Sequence, residues 1–143
     1  MYKTHVYIEL SSMTLRAAPR KYAYLIELEG EKLTRTGRGS DTGTAHHATM
    51  KAASEALGRF QANCQITVHA EDIYFLNALE HRLPEWESRN FKNADGEDMK
   101  NADLWREIRK KTKYQVICTE PGTSKYTKYL QDQMKGDKDA QTD

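Results

Sequence analysis

Proline and cysteine are scarce in this chain, and no apolar run is long. Three prolines and two cysteines occur in 143 residues. Two thiols, Cys64 and Cys118, make no disulfide framework. Each lies in or beside an apolar, strand-like run, so both read as buried free thiols, and the setting as reducing and cytoplasmic. No stretch approaches the roughly 20 apolar residues of a membrane span, and MYKTHVYIEL lacks the apolar core of a signal peptide. No membrane association is therefore expected. An excess of one charge is missing too: 22 Lys and Arg stand against 21 Asp and Glu, for a net charge of +1. That balance excludes a uniformly basic protein but still permits one basic face. The glycine- and hydroxyl-rich stretch GRGSDTGT, residues 37 to 44, has no Lys-Ser or Lys-Thr ending and reads as a turn rather than a phosphate loop. Ser11 and Ser12 have no paired base and no nucleophile elbow around them.

What is present is alternation of strands and helices at a length that suits one domain. THVYIEL, residues 4 to 10, is a β-branched and aromatic strand. YAYLIELEGEKLTRTG predicts a hairpin around Glu29-Gly30, over about Tyr22 to Gly37. Thr44 can cap a helix in which Met50, Ala53, Leu57 and Phe60 recur, ending near Gln61. CQITVHA, residues 64 to 70, is a buried-type strand. Ile73, Leu76, Leu79 and Leu83 mark a helix that Pro84 must end or kink. A helix from about Asp103 to Thr112, the strand YQVICT and a helix over KYTKYLQDQMK complete the pattern. The order β-β-β-α-β-α-α-β-α implies an α/β domain over residues 1–135, a five-stranded mixed sheet with helices on both faces. The tail 136–143, GDKDAQTD, has no apolar anchor and is expected to be disordered. The first-turn pair His46 and His47 diverges by roughly 100° on a helix, so at most one of them joins a metal. His5, His69 and His81 sit in or beside apolar patterns and read as structural.

The block IYFLNALEHRLPEWESRNFKNADGEDMKNADLW, residues 73 to 105, resembles the middle of bacterial type 1 ribonuclease H. Tyr74 matches the Tyr after that family's third catalytic carboxylate, and Trp86 and Phe91 match two aromatics of its substrate-binding protrusion. Asn101-Ala102-Asp103-Leu104-Trp105 matches its Asn-Val-Asp-Leu-Trp, with Trp105 anchoring a helix to the core. The resemblance extends over about residues 4 to 135 and implies a ribonuclease H-like fold. It also implies chemistry in which four carboxylates hold two divalent metals that cut the RNA strand of an RNA/DNA hybrid.

Position by position, the resemblance maps those carboxylates unevenly. The first falls on Glu9, an acid one methylene longer, and the second on Thr49. The third falls on Glu71, again lengthened, with Asp72 beside it; the fourth falls near Tyr126 or Thr127, and no histidine follows the last strand. The expected function is therefore a catalytically degenerate homologue that binds RNA/DNA hybrid, structured RNA or a protein partner. Its expected contacts are Arg16, Arg20, His46, Trp86, Arg89, Phe91 and Lys92, although Trp86 and Phe91 also suit the base of the protrusion. The alternatives are an altered metal-dependent nuclease and a protein-interaction module with a vestigial cleft. The nuclease would use Mg or preferably Mn held by Glu9 and Glu71, with Asp72 and His46. A monomer is expected. Gly96-Glu97-Asp98 would dilute the positive charge of the protrusion.

Overall fold

A computed structural model describes the side chains of residues 1–32 and 34–135. The expectation for the tail 136–143 lies outside them. Strands β1 (Tyr2–Leu10), β2 (Arg20–Leu28), β3 (Thr34–Asp41), β4 (Cys64–Ala70) and β5 (Val116–Pro121) form one sheet ordered β3-β2-β1-β4-β5. β1 runs antiparallel to β2 and parallel to β4, β2 antiparallel to β3, and β4 parallel to β5. The five-stranded mixed sheet expected from the sequence is thus observed.

Alternate residues of the central strands serve two cores. Val6, Ile8 and Leu10 join Tyr22, Tyr24, Ile66 and Val68 on one face, under α1 (Ala45–Leu57) and α4 (Ala102–Thr112). Tyr7, Ala23 and Leu25 face the other way, against Leu130 and Met134 of α5 (Thr127–Thr142). This two-sided burial explains why Val6 to Leu10 is buried without a break. α1 lies close to the sheet through Ala48, Ala52, Ala53 and Ala56, and Thr44 caps it by accepting from the His47 N–H at 3.1 Å.

Three expectations change. GRGSD is not a turn: residues 37 to 41 complete β3. Gly37 pairs with Tyr24 and Gly39 with Tyr22, and a Cβ at either glycine would fall inside the facing ring. The tyrosines reach across the glycines to α1 and the turn after it, where the Tyr22 hydroxyl donates to Glu55 at 2.6 Å and Arg59 Nε donates to the Tyr24 hydroxyl at 2.6 Å. α1 ends at Leu57 rather than near Gln61, at the Gly58 cap. The helix broken by Pro84 becomes α2 (Ile73–Asn77), one π turn (Ala78–Arg82) and α3 (Leu83–Ser88). Proline has no N–H to donate and crowds the carbonyl one turn back, and the wider turn absorbs both defects.

Candidate active site

Glu9 stands near the end of β1, 5% exposed. Its Oε2 accepts from the Thr127 hydroxyl at 2.9 Å, and its Oε1 from Gln131 Nε2 at 3.0 Å. Gln131 Nε2 also donates to the Leu10 carbonyl at 2.9 Å. Burial pushes the Glu9 carboxyl above its ordinary range; the two hydrogen bonds oppose that shift, and the Glu71 charge adds to it. Thr127 therefore occupies the neighbourhood expected of a fourth acid. Thr49, at the expected second position, is buried and donates to the Ala45 carbonyl at 2.9 Å, one turn back in its own helix.

Glu71 is exposed after β4, and its neighbour Asp72 turns to structural work. Asp72 caps α2, accepting from the Phe75 N–H at 3.0 Å, and its other oxygen lies 2.8 Å from His46 Nδ1. Burial alone would raise the Asp72 carboxyl, but His46 and the Phe75 N–H outweigh it and hold the group below its ordinary value. Among the described residues no group of three or more His, Cys, Asp or Glu side chains converges to hold a metal ion. The set Glu9, Glu71, Asp72 and His46 does not fit a pair of divalent cations, because two of its carboxylates are already engaged and the second-position residue has none.

The expected nucleic-acid contacts separate in the same way. Arg20 is 4% exposed and holds the β1–β2 loop from inside: Nη1 donates to the Ser12 and Thr14 carbonyls, and Nη2 to that of Arg16. Trp86 and Phe91 are buried, with Trp86 edge-on to Trp105 at 5.3 Å, so they build the base of the protrusion rather than a stacking platform. Arg16 is exposed, while Arg89 faces Glu85 at 3.8 Å and Lys92 bonds Asp98 at 3.1 Å. Arg106 bonds both Asp98 and Asp103, and Arg109 bonds Glu87. Arg106 and Lys92 together draw the Asp98 carboxyl down to about 2. The protrusion thus keeps its shape while pairing much of its positive charge internally.

No protein-family model matches the chain. It is 29% identical over 91 residues to a ribonuclease H of Caldicellulosiruptor saccharolyticus, spanning 63% of this chain and 62% of that protein. Against a Helicobacter pylori ribonuclease H it is 27% identical over 117 residues, 82% of this chain and 77% of that protein. The fold superimposes on LC9-RNase H1, a type 1 RNase H with the type 2 active-site motif, at a TM-score of 0.69 and 15% identity, covering 95% of this chain and 70% of that one. The chain is similar to bacterial ribonuclease H in sequence and shares the ribonuclease H-like fold. The match covers less than two thirds of the first relative's length.

Two features of this ribonuclease H-like chain escaped the sequence. Met13, Leu15, Ile73 and Tyr74 form an apolar mouth beside His46 and Glu71, around a cavity of about 370 Å³. Leu15 is 84% exposed, Ile73 68% and Tyr74 61%. Met13 and Leu15 come from the β1–β2 loop and Ile73 and Tyr74 from the start of α2, so no local pattern joins them. The second is a pair on the other side of His46: His47 Nδ1 lies 2.7 Å from Asp41 at the end of β3. A Cβ at Gly43 would crowd that imidazole, which accounts for glycine there. No helix among the described residues is long and apolar enough to cross a membrane.

Proposed function

We propose that this chain is a ribonuclease H homologue that has lost two-metal hydrolysis and binds nucleic acid, RNA/DNA hybrid or RNA, through its backbone. The observation that carries the loss is the closure of Glu9 by Thr127 and Gln131. A carboxylate whose two oxygens accept from fixed side chains, in a buried site, is poorly placed to exchange them for a cation. Thr49 adds a hydroxyl that bonds inside its own helix and offers no charge. The ligand class is supported by the relationship to ribonuclease H and by exposed cations such as Arg16, Arg35 and Arg89. Contacts of that kind recognise phosphates and duplex shape rather than base edges.

The test is incubation with a labelled RNA/DNA hybrid in Mg²⁺ and in Mn²⁺, followed by gel shifts on hybrid, duplex and single strand over a salt series. No cleavage and a shift that weakens steeply with salt are expected. Cleavage that disappears in Glu71→Gln would overturn the loss of hydrolysis and restore the altered-nuclease reading. A second reading, a protein-interaction module, is favoured by the apolar mouth of Met13, Leu15, Ile73 and Tyr74. Absent or salt-insensitive gel shifts on all three nucleic acids would select it.

A further inference from the structure

A separate cavity of about 630 Å³ opens between the β1–β2 loop, the start of β2, the end of β3 and α5. Its polar lining comes from Ser11, Arg20, Lys21, Ser40, Gln131 and Lys135, and its apolar lining from Pro19 and Met134. No acidic residue lines it among the described residues. Arg20 spends both terminal nitrogens on loop carbonyls, which leaves its Nε–H buried with no hydrogen-bond partner among the described residues. Lys21 Nζ, on the next residue of β2, is buried in the same condition. Two cationic donors withdrawn from water without an acceptor are a standing cost to the fold, since buried donors are almost always satisfied. An anion that reached them would supply the acceptor both lack and offset their charge.

We propose that this cavity is a phosphate-binding site, taking the phosphoryl group of a nucleotide or of a nucleic-acid strand. The residues that would supply its donors come from separate elements: Arg20 and Lys21 from β2, Lys135 from α5, Ser11 just after β1 and Ser40 near the end of β3. A tetrahedral oxyanion presents acceptors on several sides and matches such a set. A planar carboxylate suits it less, because the paired fork of the guanidinium that a carboxylate prefers is already taken by the loop. Three cations and no acid among the lining residues exclude a metal cation. The site is independent of hydrolysis at Glu9, although Gln131 touches both: it lines the cavity and donates to Glu9.

The test is titration of ¹⁵N-labelled protein with inorganic phosphate at constant ionic strength. Saturable shifts of the Arg20 Nε–H and of the Ser11, Lys21 and Ser40 amides are expected. Lys21→Met, which keeps the stem and removes the charge, should weaken binding at least tenfold. In phosphate-free buffer that variant should melt no lower than the parent, because the uncompensated ammonium is gone; in phosphate the order should reverse. Unsaturable shifts, or a phosphate affinity unchanged in Lys21→Met, would overturn the proposal. Should Lys21→Met fail to fold, Lys135→Gln decides in its place: weaker phosphate binding sustains the site, and unchanged binding overturns it. Parallel titrations with a nucleoside 5′-monophosphate and with a short single-stranded oligonucleotide separate the two sources. The ligand that displaces phosphate from the same amides is the one the site takes, and displacement by neither overturns it.

Discussion

Asp72 is either an idle metal ligand or a structural residue, and replacing it distinguishes the two. As a helix cap it accepts from the Phe75 N–H, a contact whose loss typically costs about 1 kcal/mol. Its other oxygen meets His46 Nδ1 at 2.8 Å, with side chains only 24% and 12% exposed, so a further ~1–2 kcal/mol is reasonable for a hydrogen bond to a charged group. Asp72→Ala should then cost about 2–3 kcal/mol, or roughly 6–9 °C in Tm at ~3 °C per kcal/mol for a domain of this size. Asp72→Asn keeps an oxygen for the cap and loses only the charged part, about 1 kcal/mol or ~3 °C. The pH dependence has a definite sign. The native carboxyl sits below its ordinary 3.8, so its contribution is present above that pH and is lost as pH falls through the depressed native value. The gap between the parent and Asp72→Asn should therefore hold at neutral pH and close in acid. Thermal melts followed by circular dichroism across a pH series measure all three proteins. An unbound ligand carboxylate repelled by Glu9 and Glu71 would behave in the opposite way. If Asp72→Ala melts at or above the parent temperature at neutral pH, the structural assignment of Asp72 is wrong.

Thr127→Asp restores an acid beside buried Glu9 and should destabilise the fold at neutral pH by about 1–3 kcal/mol, through an unpaired buried charge. Both carboxyls are then raised, so the loss grows as pH rises and vanishes in acid; urea melts over a pH series follow it. Asp98→Asn releases Lys92 and Arg106 from their shared partner, so nucleic-acid binding should tighten and the log–log salt slope should steepen by about 1–2 in gel shifts. An unchanged slope would show that the protrusion does not reach the phosphates. Gly39→Ala drives a methyl into the Tyr22 ring and should cost about 1–3 kcal/mol, less in a Tyr22→Leu background, as a double-mutant cycle measures.

The fold was legible because its periodicities are clean. β4 alternates buried and half-buried from Cys64 to Ala70 and was delimited to the residue. β1 was legible as a β-branched and aromatic strand, but the burial of Val6 to Leu10 on both faces was not. GRGSD was misread because glycine is scored as a breaker, whereas Gly37 and Gly39 are needed inside a strand by rings on the neighbouring one. No local pattern contains that information; it exists only once Tyr22 and Tyr24 are set in register with β3. The candidate site divides along the same line. That Thr49 carries no charge was visible in the sequence, and so was the lack of an acid at Tyr126 and Thr127. The burial of Arg20 was not, since an arginine before a strand looks the same whether it points outward or gathers the carbonyls of its own loop.

Three residues at or beside the expected ligand positions find partners nearby, while Glu71 stays exposed. Thr49 bonds to its own helix, Glu9 receives Thr127 and Gln131, and Asp72 divides itself between a helix cap and His46. A metal site is the reverse arrangement, in which carboxylates are held close at an electrostatic cost that only the cation relieves. Here Asp72 is held below its ordinary range by its partners, whereas Glu9 is still raised by burial and by the Glu71 charge, so the cost is relieved at one carboxylate and kept at the other. The exposed apolar mouth beside Glu71 also differs from a metal site. Leu15 and Ile73 stand open to water, where a hydrolytic cleft would need polar walls and ordered solvent. On the proposed reading, a ribonuclease H-like fold surrounds a cleft in which Glu9, Thr127 and Gln131 complete one another.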